Sequence, residues 1–125
     1  MIPFGNETVT LLRRVEETDE GGKTRVRYAR SLLTGCSWRS GLRRVRFDTE
    51  IQLIPEITCR VPADQAAPAA GDCLFLGDVP LEITGSKDLQ AALDAAIGGT
   101  ACRIAAVRDC ARPGMPMPHY LCTGA

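Results

Sequence analysis

The residues of this 125-residue chain that could do chemistry are six cysteines, one histidine, clustered arginines and a pair of alternating carboxylates. Cys36, Cys59, Cys73, Cys102, Cys110 and Cys122 could pair as disulfides or hold a soft metal. Their spacings of 23, 14, 29, 8 and 12 residues contain no Cys-x-x-Cys knuckle, and most lie in apolar stretches such as Cys73-Leu74-Phe75-Leu76. The start, Met1-Ile2-Pro3-Phe4-Gly5-Asn6, has neither a basic nor an apolar signal region, so a reducing compartment is expected. The six thiols therefore read as small reduced core residues, with a zinc site assembled from distant strands as the alternative.

Catalysis finds little support. A Cys–His dyad or a catalytic triad would have to be built on His119, which sits between Pro118 and Tyr120, and no Gly-x-Ser-x-Gly elbow accompanies it. Phosphate-cradling glycine loops of the Walker or dinucleotide type are missing too. Asp48 and Glu50 alternate with basic neighbours, which a solvated strand face explains without acid–base chemistry. The expectation is a protein that is not an enzyme, with no catalytic residue, no metal and no cofactor.

The arginines are the remaining candidates. Arg39, Arg43, Arg44 and Arg46 form one basic cluster, and Arg25, Arg27 and Arg30 form another. Such clusters contact phosphates, or they face a partner protein during assembly. Base stacking needs aromatics as well, and the basic segments offer only Tyr28, Trp38 and Phe47. Charge is also uneven along the chain. Residues 1–46 hold ten Lys/Arg against five Asp/Glu, and residues 47–125 hold five against ten. Two differently charged solvated faces explain that, as would complementary surfaces that meet in an assembly.

Stepping from these side chains to the elements that carry them, strand signals dominate. Between residues 43 and 53, Val45, Phe47, Thr49, Ile51 and Leu53 alternate with Arg44, Arg46, Asp48, Glu50 and Gln52, the period of a half-buried antiparallel strand. Pro55 then suggests a turn at Ile54-Pro55-Glu56 and a return strand through Ile57, Cys59 and Val61. Other strands are expected over residues 7–15, 24–30 (after the turn Glu20-Gly21-Gly22-Lys23), 32–39, 73–76, 79–84, 101–112 and near 119–123. One helix is expected over about residues 88–97, capped by Ser86, with Leu89, Ala92, Leu93, Ala96 and Ile97 as its apolar stripe and Gly98-Gly99 at its end. The expectation is one mainly-β domain over residues 1–125. It is a small antiparallel barrel or sandwich of about eight short strands with the helix plugging an open end. A hairpin over about residues 43–61 and a Pro/Ala-rich loop over 62–70 are the expected projections. No apolar run approaches the length of about 18 residues that a membrane span needs.

Several segments carry a resemblance. They are Phe4-Gly5-Asn6-Glu7-Thr8-Val9-Thr10-Leu11, Gly35-Cys36-Ser37-Trp38-Arg39, Ile57-Thr58-Cys59-Arg60-Val61-Pro62, Pro68-x-x-Gly71-Asp72-x-Leu74-x-Leu76-Gly77, Val107-x-Asp109 and His119-Tyr120-x-x-x-Gly124-Ala125. In this order and spacing the chain resembles small uncharacterised proteins of prophage structural clusters, similar to head-tail connector, head-completion or minor capsid proteins. Cys110 departs from that pattern, which favours asparagine there. The resemblance implies a β-barrel subunit of the virion or the host bacterial cytoplasm that packs in a homo-oligomeric ring. Its implied partners are portal, neighbouring connector or tail proteins, with weak DNA contact at most and no membrane. The alternative is a nucleic-acid-binding barrel of the OB type. In either case Arg39, Arg43, Arg44 and Arg46 would supply the assembly or DNA-facing surface.

Overall fold

A computed structural model describes residues 6–80, 83, 85–96, 99–110 and 118–125. Its strands are β1 (Glu7–Thr18), β2 (Thr24–Phe47), β3 (Glu50–Pro62), β4 (Cys73–Leu76), β5 (Ala101–Cys110) and β6 (His119–Gly124), with one helix, α1 (Ser86–Ala95), between β4 and β5. Every pairing is antiparallel, in the order β1-β2-β3-β6-β5-β4, and β4 pairs back onto β1 to close the ring. Among the described residues the protein is thus mainly β with a single helix, as the residue patterns indicate.

The strands are fewer and longer than expected, six among the described residues rather than about eight. The expected strands 24–30 and 32–39, with the start of the one at 43, are a single 24-residue strand, β2. Gly35 bends this strand instead of ending it. It has φ 67, and the pairing with β1 slips between Glu7↔Cys36 and Val9↔Leu33. A glycine in the left-handed region at such a bulge re-aims a strand without breaking its ladder. Before the bend β2 pairs with β1, and after it, from Ser37 onward, with β3. β5 turns a second corner, pairing with β4 through Arg103 and with β6 from Ile104. Gly124 closes against that corner, where an added Cβ would lie 2.2 Å from the Arg103 carbonyl oxygen. Of the expected hairpin 79–84, residues 79 and 80 are not strand, and 81, 82 and 84 lie outside the described residues.

Inside the ring, Val9, Leu11, Leu33, Leu74 and Ile104 pack with Cys36, Cys59, Cys102 and Cys122. All six cysteines are free thiols, and five are buried. Trp38 packs against this core and donates its indole N–H to the Gly99 carbonyl at 2.7 Å.

The helix does not plug an end of the barrel. By strand alternation, Leu12, Cys73 and Phe75 point to the opposite side of the wall from Leu11 and Leu74. There they form a separate cluster with Leu89, and Ala92 and Leu93 pack against it. α1 therefore lies on the outer face of the β1–β4–β5 wall, so β4 is buried on both faces and reads as the unbroken apolar run Cys-Leu-Phe-Leu. The helix starts earlier than expected, with extended Gly85 rather than Ser86 at the N-cap. Ile97 and Gly98 lie outside the described residues.

The 62–70 loop, expected to project, is instead tied to the barrel. The Gln65 amide accepts from the Thr34 N–H at 2.7 Å and donates to the Thr34 carbonyl at 2.5 Å, replacing a strand partner at the β2 bend. Arg13 donates to the Ala67 carbonyl at 2.7 Å and to buried Asp72 at 2.8 Å, and Asp72 also accepts the Ala69 N–H at 2.9 Å. The hydrogen bond that Arg13 donates to Asp72 raises the Arg13 pKa.

Candidate assembly interface

β2 is too long for the barrel to contain it, and both of its ends run out as two-stranded ribbons. One is built with β1 and turns through residues 19–23, where Gly22 takes φ 79 and the Asp19 carboxylate accepts the Lys23 N–H. The other is built with β3, pairing Ser37↔Arg60 through Phe47↔Glu50. Beyond Gly41 and Glu56 this second ribbon is open to solvent on both faces, with Val45 alone half-buried.

The second ribbon's turn falls at Asp48-Thr49, not at Ile54-Pro55-Glu56. Asp48 has φ 50, a left-handed conformation that aspartate tolerates better than most residues. Pro55 is a strand residue opposite Leu42. The shifted turn regroups the side chains. Arg44↔Leu53 and Arg46↔Ile51 are directly opposed, so Leu42, Ile51, Leu53 and Pro55 share one face with Arg44 and Arg46. Arg43, Val45, Phe47, Glu50, Gln52, Ile54 and Glu56 share the other. The expected apolar face is consequently not buried: Phe47 is 50% exposed, Ile51 60% and Leu53 59%, and Leu42 beside them is 64% exposed. Single exposed apolar residues are ordinary, and here several lie together on one ribbon.

The four arginines singled out from the sequence all lie on β2, but they do not form one patch. Alternation puts Arg39 and Arg43 on one face and Arg44 and Arg46 on the other. Arg43 pairs across the ribbon with Glu56 at 3.8 Å, a distant, exposed contact of little energetic weight. A shallow cleft of about 280 Å³ lies between Arg39, Leu42, Arg43, Glu56 and Thr58. A larger one, about 400 Å³, opens at the ribbon's root between Leu42, Pro55, Ile57, Gly99, Ala101 and Ala125. Of the aromatics that could stack bases, Tyr28 packs against the outer cluster and Trp38 against the core, which leaves Phe47.

Opposite charges of the two chain halves meet in ion pairs within the chain. Arg13–Asp72, Arg30–Asp78 and Arg43–Glu56 each join a basic residue of 1–46 to an acidic one of 47–125. Among the described residues no group of three or more His, Cys, Asp or Glu is placed to hold a metal ion, and no helix is long and apolar enough to cross a membrane.

The model of a family of unknown function, DUF6751, matches residues 4–125. The chain belongs to this family. No curated protein and no solved structure matches it. Membership spans both ribbons as well as the barrel, so the projecting parts belong to the family's shared length rather than to an addition at one end.

Sequence reasoning missed Phe47, Ile51 and Leu53 as surface residues because it assigned their alternating face to a core, and it placed Ile54 in a turn. The available signal was Phe47-Asp48-Thr49-Glu50, a polar pair between two β-rich runs of similar length. Without glycine or asparagine that turn signal is weak, and Pro55 outweighed it.

Proposed function

We propose that this protein is a non-enzymatic virion assembly subunit of a phage or prophage, a head-tail connector or head-completion protein that works by packing in a ring. The observation that carries the proposal is the solvent-exposed apolar face of the β2–β3 ribbon, Leu42, Ile51, Leu53 and Pro55. A rigid closed barrel holds that arm out, so a neighbouring subunit, a portal or a tail protein can cover it. The resemblance to prophage structural proteins points the same way. The subunit acts in the virion or the host bacterial cytoplasm, through surfaces and without a cofactor. A nucleic-acid-binding barrel fits less well, because the arginines are divided between two faces, and Trp38 and Tyr28 are partly buried against the inner and outer apolar clusters.

The test is co-purification. A tagged chain is expressed with each portal or connector protein that its genomic neighbourhood proves to encode, and is expected to elute with them. Leu42→Ser/Ile51→Ser/Leu53→Ser should keep its thermal melt, since all three side chains face solvent, and lose co-elution. A chain that never co-elutes, or a triple variant that co-elutes as well as the parent, overturns the proposal.

A further inference from the structure

The outer ribbon has two strand edges, and they differ in charge. Along residues 41–47, β2 pairs with β3 alone, and along residues 50–56, β3 pairs with β2 alone. Each stretch therefore turns a line of main-chain N–H and C=O groups away from its partner strand, with no second strand against it among the described residues. Such edges are templates for further pairing. The β2 edge carries Arg43, Arg44 and Arg46 and no acid, whereas the β3 edge carries Glu50 and Glu56 and no base.

We propose that the β3 edge of one copy pairs with the β2 edge of the next, joining the ribbons of successive copies into one continuous antiparallel belt. This rests on the ring-packing reading above and names its contact. The occupant is a second copy because the two edges complement each other and neither complements itself. β2 against β2 would oppose arginines, and β3 against β3 would oppose glutamates. The strand directions agree. Copies related by rotation about an axis along the ribbon keep the same orientation, so β3 of one runs against β2 of its neighbour. The contact uses a different patch on each partner, so it closes into a ring when the rotation divides a full turn.

Two charge-reversed full-length chains test the belt, Arg43→Glu/Arg44→Glu/Arg46→Glu and Glu50→Lys/Glu56→Lys. In the first both edges are acidic, and in the second both are basic. Thermal melts check that each chain folds. Sedimentation velocity from micromolar to millimolar concentration is expected to show association of the parent and its loss in each variant alone. An equimolar mixture should regain it, because every junction then joins an acidic edge to a basic one. Mixing cannot repair a contact within a chain, so recovery reports pairing between chains. A folded variant that associates like the parent overturns the belt and leaves ring packing through another surface standing. A mixture that stays monomeric while the parent associates also overturns it. A parent that remains monomeric throughout does so as well, and ring packing is then judged by co-purification with the portal alone.

Discussion

Cys59 shows how the core treats its thiols. It hydrogen-bonds Cys36 and lies opposite Cys122 across the β3–β6 ladder, and that hydrogen bond together with burial pushes its pKa well up. Burial, reinforced by neighbouring thiols, pushes Cys102 and Cys122 up to about 12. These groups stay protonated in the fold, whereas unfolded thiols ionise near about 8.5. Above that value the unfolded chain binds fewer protons than the folded one, so stability falls with rising pH. The contribution is complete below about 8.5 and disappears between there and the folded value of about 12. Urea unfolding at neutral pH and near pH ~10 should show this alkaline loss, and Cys102→Ala/Cys122→Ala should reduce it. An equal loss in the variant would assign the effect to other groups. Native-state alkylation followed by mass spectrometry should label half-buried Cys110 before the five buried cysteines.

At the scale of elements, α1 acts as cladding on an already closed wall. Leu89, buried against Leu12, Cys73 and Phe75, anchors it. Leu89→Ala should cost about 2–4 kcal/mol in urea unfolding while leaving the strand signal in circular dichroism unchanged. Loss of that signal would mean that the barrel needs the helix to close. The helix was legible because Leu89, Ala92 and Leu93 recur at helical spacing, but its placement was not. Spacing identifies an apolar stripe without saying which of two apolar surfaces receives it. β4 was legible for a related reason, since Gly71-Asp72 and Gly77 bracket an unbroken apolar run. The β2–β3 ribbon was misread because Val45, Phe47, Ile51 and Leu53 alternate as a buried face would. Alternation records a side of the strand, and only tertiary structure decides whether that side meets a core. Arg39, Arg43, Arg44 and Arg46 all lie on β2, and strand alternation divides them between two faces.

For the molecule as a whole, formal charges of opposite sign cancel within the chain. Arg13–Asp72, Arg30–Asp78 and Arg43–Glu56 each link a basic residue of the first half to an acidic residue of the second. Duplex DNA should therefore bind weakly, through phosphate contacts of a few arginines, and lose roughly a decade or more of affinity as salt approaches physiological strength. A filter-binding titration checks this. Submicromolar, sequence-dependent binding that survives ~0.2 M salt would favour the nucleic-acid reading instead.

The unbroken course of β2 through both ribbons also has a mechanical meaning. Its two ends form the arms that leave the barrel, and its middle is part of the barrel wall. A pull applied between the two arm tips would travel along one covalent backbone, through the bend at Gly35, instead of passing from strand to strand. The β1 and β3 ladders would then be loaded in shear along many hydrogen bonds at once, not unzipped one bond at a time. A chain wired in this way can transmit tension between whatever holds its two arms while its barrel stays shut.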